Sequence, residues 1–228
     1  MPKKRRDVLS SLNFHIKDIE PLTGSQKSVF ESKKNLMLHG CAGTGKTFIS
    51  LHLALESLYA EQYDKIVIVR SSVPTREMGF LPGTEDEKSK VYESPYISIM
   101  QELLSRGDNP YGQLKSKGII NFLTTSYVRG TTFNNSIIIV DECQNMTFHE
   151  LDSIITRVGR NCRIIFCGDF FQADLKVNGL KTFITIINRM TDEFDFIEFG
   201  IDDIVRSGFV KSYLTQKYKA NFDYKDNM

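Results

Sequence analysis

Six short apolar runs recur along the 228-residue chain: "NLMLH" at 35–39, "KIVIV" at 65–69, "IINFL" at 119–123, "SIIIV" at 136–140, "RIIFC" at 163–167 and "FDFIEF" at 194–199. Several are apolar at consecutive rather than alternate positions, the pattern of strands covered on both faces. Between them the period lengthens to that of a helix. Residues 46–60 place Phe48, Leu51, Leu55 and Leu58 on one face, and residues 148–158 do the same with Leu151, Ile154, Ile155 and Val158. The second stretch opens with Thr147 as cap and Glu150 three residues on, the signature of a capping box. A further helix is predicted over 178–190. Strands alternating with helices predict an α/β fold, a mostly parallel sheet with helices on both faces.

One segment breaks the rhythm. From Arg70 to Gly118 no strand is evident, only "PTREMGFLPGTEDEKSK" and a helical stretch around Tyr96–Leu104. That is too long for an ordinary connection and reads either as a functional excursion from the sheet or as surface decoration. The expected organisation is a basic N-terminal segment at 1–19, one domain at 20–215 carrying the excursion at about 70–118, and a polar, fraying tail at 216–228.

Composition narrows the partners. The net charge is only +1, so a polyanion would have to meet a local basic patch. Cys41, Cys143, Cys162 and Cys167 include no CxxC pair, which suits reduced cysteines in a cytoplasmic protein rather than a disulfide frame or zinc site. No run approaches the ~18 apolar residues needed to span a bilayer. The opening "MPKKRRDVLSSL" has basic residues with no apolar stretch behind them, so no secretion signal is expected.

The chemistry lies at strand ends. Gly40-Cys41-Ala42-Gly43-Thr44-Gly45-Lys46-Thr47 satisfies GxxxxGK[ST], with a predicted strand before it and a predicted helix after. Glycines let backbone N–H groups turn toward phosphate oxygens, and the helix adds its positive end. In such a loop Lys46 reaches the β and γ phosphates of a nucleotide and the Thr47 hydroxyl ligates magnesium. "SIIIVDECQN" carries Asp141 and Glu142 to a second strand end. Asp141 is suited to Mg2+ through its water shell, and Glu142 to taking a proton from an attacking water. A third strand end, "RIIFCGDFFQADL", offers Gly168, Asp169 and Gln172, with the glutamine placed to sense the γ phosphate or to hold the lytic water.

Taken in order, "GCAGTGKT", "VRSSVPTREMGFLPGTEDEK", "YVRGTTFNNSIIIVDECQN", "LDSIITRVG" and "FCGDFFQADL" resemble the PhoH-like ATPases, single-core relatives of superfamily 1 helicases. The resemblance covers roughly residues 20–215. It departs from the usual pattern at Cys41, where proline is common, and at Cys143, where alanine is common. It implies a RecA-like P-loop NTPase core using ATP and Mg2+, and no NKxD guanine reader contradicts ATP. It further implies that Gln26, in "PLTGSQKSVF", reads the adenine edge. Arg206, in "FGIDDIVRSGFVKSYL", becomes the first choice for contacting the γ phosphate, with Arg129 and Arg157 as rivals. Thr75, Arg76 and Lys88 become candidates for the phosphates of a single-stranded nucleic acid, and Phe80 for stacking on a base; packing of Phe80 onto the core is the competing reading.

Three functions remain open: an ATPase acting with RNA or single-stranded DNA, a P-loop kinase of a small molecule, and a non-hydrolysing nucleotide switch. Glu142 beside Asp141 favours the first, because a kinase must exclude the water that such a pair activates. A helicase closes its ATP cleft between two cores, and this length holds one. The second wall is therefore expected from another subunit of a homo-oligomer, a hexameric ring being the form the resemblance suggests.

Overall fold

The computed structural model describes residues 14–71, 85–105, 108–169 and 179–226, the side chains of 85–90 and 221–226 excepted. The chain order is β1 (His15–Ile16), α1 (Gly24–Glu31), β2 (Asn35–Gly40), α2 (Lys46–Tyr59), β3 (Lys65–Arg70), α3 (Glu85–Leu103), β4 (Leu104–Ser105), α4 (Pro110–Ser116), β5 (Ile120–Thr124), β6 (Ser136–Asp141), α5 (Phe148–Ile155), β7 (Cys162–Gly168), α6 (Leu180–Ile187), β8 (Phe194–Phe199) and α7 (Gly208–Asp226). All six predicted strands form. They pair in parallel in the order β5-β3-β6-β7-β2-β8.

Successive strand residues point to opposite faces, so each continuous apolar run feeds two cores. One packs Leu36, Leu38, Ile66, Ile68, Ile137 and Ile139 against α2, α3 and α4. The other packs Met37, Val67, Val69, Ile138 and Val140 against α5 and α6. β6 is buried along its whole length. Burying its three isoleucines and one valine contributes about 6–12 kcal/mol before chain entropy is counted.

Helix ends show where local signals met tertiary ones. The capping box at Thr147 forms, with Glu150 N–H on the Thr147 hydroxyl and the Thr147 N–H on the Glu150 carboxylate at 2.8 Å. The helix stops at Ile155 rather than 158, because Val158 makes a parallel bridge with Phe133. The excursion also departs from expectation. Its helix extends from Glu85 to Leu103 with Pro95 inside, and β4 pairs antiparallel with β1. The tail expected at 216–228 is corrected too: α7 runs to Asp226, and Tyr218 is completely buried. Tyr218 is flanked by Lys217 and Lys219, which leaves little periodic trace of its burial in sequence.

Candidate active site

The carboxyl ends of the central strands open onto one cavity of about 1070 Å³, lined by the 42–47 loop, Asp141, Glu142, Asp169, Gln26, Arg70 and Arg206 among others. Its floor starts where β2 must turn. Gly40 has φ 118°, and a Cβ there would overlap the Phe199 carbonyl, so no larger residue fits. Gly45 caps α2 at φ 85°, in the left-handed region.

Lys46 folds back on the loop, donating to the Gly40 carbonyl at 3.0 Å and the Cys41 carbonyl at 2.7 Å. Burial lowers its pKa below the ordinary lysine value, opposed in part by Asp169 and Glu142. Thr47 donates its hydroxyl to Asp141 Oδ1 at 2.9 Å. The other carboxylate oxygen, Oδ2, accepts from the Tyr96 hydroxyl at 2.8 Å, on the excursion helix. Desolvation and the neighbouring Glu142 push the Asp141 carboxyl above its usual range, while the two hydroxyls hold it down. The Tyr96 phenol is pushed well up, first by burial and then by Asp141.

Glu142 adopts φ 53°, a left-handed conformation costly for a non-glycine residue and found where function over-determines the backbone. Its carboxylate accepts from Gln144 Nε2 at 2.6 Å. Gln144 Oε1 in turn accepts from the Asp169 N–H at 3.1 Å, and Asp169 Oδ2 accepts from the Tyr218 hydroxyl at 2.6 Å. Tyr218 closes the chain by accepting the Ala42 N–H at 2.6 Å. A continuous set of hydrogen bonds thus runs from Glu142 through β7 and α7 back to the phosphate loop.

The cavity brings together Lys46, Thr47, Asp141 and Glu142. Gln26 is buried at its edge. Its amide is engaged by backbone, donating to the Thr44 carbonyl at 3.0 Å and accepting from the Leu22 N–H at 2.7 Å, so it ties α1 to the loop. Arg206 lines the cavity of its own chain, with its Cγ over Gly43 and the Val205 N–H on the Gly43 carbonyl at 3.1 Å. The rival arginines do not reach it. Arg129 is exposed beyond β5, and Arg157 follows α5 on the opposite face, neither lining the cavity. Gln172, Thr75, Arg76 and Phe80 lie outside the described residues, as does the side chain of Lys88. Sequence reasoning missed Arg70, Tyr96, Gln144 and Tyr218. Gln144, two residues after Glu142, and Arg70, inside the run "VRSSVPTREMGFLPGTEDEK", sat close enough to a motif to be found.

The donor set suits magnesium. One hydroxyl and one carboxylate, 2.9 Å apart, match an ion that keeps several waters and shares phosphate oxygens. No dedicated cluster of three or more His, Cys, Asp or Glu ligands occurs among the described residues.

A model of the PhoH-like protein family matches residues 18–218. The chain belongs to that family. It is 32% identical over 211 residues to a PhoH-like protein of Mycobacterium tuberculosis, covering 90% of this chain and 58% of that one. With protein PhoH of Escherichia coli it shares 32% over 187 residues, covering 81% and 53%. With the PhoH-like protein of Bacillus subtilis it shares 31% over 204 residues, covering 87% and 63%. This PhoH-like chain therefore spans little more than half the length of these relatives. Among solved structures, the large terminase of a thermophilic bacteriophage aligns at TM-score 0.56 and 11% identity over 88% of this chain and 50% of the terminase, a likeness of fold alone. No described helix is long and apolar enough to cross a membrane.

Proposed function

We propose that this PhoH-like chain binds MgATP and hydrolyses it, and that hydrolysis is coupled to RNA or single-stranded DNA in a cytoplasmic homo-oligomer. One observation carries the hydrolysis reading. Thr47 and Asp141, 94 residues apart in sequence, hydrogen-bond at 2.9 Å in the same cavity that holds Lys46 and Glu142.

The loop amides and the start of α2 hold the β and γ phosphates. Lys46 exchanges its two carbonyl partners for phosphate oxygens. Thr47 and Asp141 would hold magnesium, which would supply positive charge against that of the phosphates. Glu142 accepts a proton from water as the water oxygen bonds to the γ phosphorus and the bond to the bridging oxygen of ADP breaks. Gln144 keeps the Glu142 carboxylate in one orientation for that transfer. Arg206 meets charge developing on the phosphoryl group, and Gln172 holds the water in line.

Coupling to a strand rests on family membership and on Thr75, Arg76, Phe80 and Lys88. The oligomer is supported by an exposed apolar stretch just past Arg206. Phe209 is 84% and Tyr213 59% exposed, and the two share one face of α7. Phosphate release from wild type and Glu142→Gln tests hydrolysis; the variant is expected to lose about a hundredfold or more. Equal, negligible rates would defeat the enzyme reading, and transfer of the label to a metabolite would replace it with a kinase. Stimulation by single-stranded RNA or DNA that weakens with salt tests the coupling.

A further inference from the structure

Arg70 ends β3, where its Cα pairs with that of Asp141 on the neighbouring parallel strand. Residues in register on parallel strands about 4.8 Å apart project to the same face. Ile68 and Ile66, two and four residues before Arg70, pack in the core that α2 and α3 cover, as do Ile139 and Ile137 before Asp141. The Arg70 side chain therefore leaves the sheet on the side of Thr47 and Lys46, and it lines the nucleotide cavity.

Among the described residues its direct contacts are few, and its charge also acts on the Asp141 carboxylate from beyond ion-pair range. One N–H approaches the Tyr92 carbonyl at 3.4 Å, and the guanidinium sits 5.8 Å from the Tyr92 ring centroid. Among the described residues no carboxylate lies within 4.0 Å of it. A half-buried guanidinium resting on an aromatic ring beside a phosphate loop, with no carboxylate of the described residues in ion-pair contact with its fork, has the form of an oxyanion receptor. It also stands across the strand ends from the loop. A triphosphate held by Lys46 and reaching toward Asp141 would present its outermost oxygens to that side.

We infer that Arg70 pairs with the terminal phosphoryl group of the bound triphosphate, so that the root of the excursion distinguishes ATP from ADP. This rests on the ATP-binding reading above. The same oxyanion chemistry is offered by a nucleic-acid backbone, and the two sources are separable.

Affinities for ADP and for a non-hydrolysable ATP analogue, both with magnesium, are measured calorimetrically on the wild type, Arg70→Ala and Arg70→Lys. Arg70→Ala is expected to weaken the analogue about tenfold to a hundredfold while changing ADP less than about twofold. Arg70→Lys falls between, keeping the charge without the fork. Unchanged analogue binding, or equal losses for both nucleotides, overturns the assignment. Loss of binding to a single-stranded oligonucleotide at two salt concentrations, with both nucleotides unaffected, also overturns it and gives the cation to the strand. A wild type that binds neither nucleotide refutes the ATP reading itself. If Arg70→Ala does not fold, as judged by circular dichroism, the same comparison in Arg70→Lys decides.

Discussion

Replacing Tyr96 with phenylalanine removes one hydroxyl and nothing else, at a point where two long-range claims meet. That hydroxyl donates to Asp141 Oδ2 at 2.8 Å, both residues are buried, and the only other side-chain donor to the carboxylate among the described residues is Thr47 at 2.9 Å. A hydrogen bond to a charged group contributes about 1.5–3 kcal/mol, against 0.5–1.5 kcal/mol for a neutral pair. Tyr96→Phe should therefore cost about 1.5–3 kcal/mol in nucleotide-free protein, lowering the melting temperature by roughly 3–12 °C for a chain of this length. The same substitution made on Asp141→Asn should cost about 1 kcal/mol less, because the acceptor no longer carries charge. Asp141→Asn alone should be neutral or stabilising, since burial already disfavours the charged carboxyl. Urea denaturation of the wild type, both single variants and the double variant gives the coupling directly. Additivity within about 0.5 kcal/mol would refute the idea that the excursion helix holds the Asp141 carboxylate.

Tyr218→Phe should cost about 1–3 kcal/mol by leaving the Ala42 N–H without its phenol acceptor, and should weaken nucleotide binding measured on the same sample. Gly40→Ala should destabilise by about 2 kcal/mol or more and abolish nucleotide binding, because the new methyl meets the Phe199 backbone; a folded, ATP-binding variant in a melt and titration would contradict that. The Cys41 thiol is pushed up to about 11 by burial, so it stays protonated at neutral pH. Its alkylation, followed by mass spectrometry, should accelerate only as the pH climbs toward that value, while partly exposed Cys162 reacts first.

Much of this fold was written locally. The run 136–140 needed no context to be recognised as a doubly covered strand, and Thr147 with Glu150 fixed a helix start to the residue. The phosphate loop was equally legible, since its glycines, lysine and threonine act within eight positions. What escaped is non-local and single. Tyr96 meets Asp141 across 45 positions and Tyr218 meets Asp169 across 49, pairings that no local spacing announces. Arg70 escaped because a guanidinium after a strand is ordinary until its face, and its lack of an ion pair among the described residues, are known. Val158 shows the converse: its helical spacing was real, yet a bridge to Phe133 prevailed.

The hydroxyl of Tyr218 touches the phosphate loop from a helix that a protein chemist, reading only its lysines and asparagines, would trim when seeking crystals or yield. A product ending before that position would keep every motif residue and the whole central sheet, yet have an unbraced cradle. Poor nucleotide affinity in such a shortened protein would then reflect where the scissors fell, and nothing about what the motif can do.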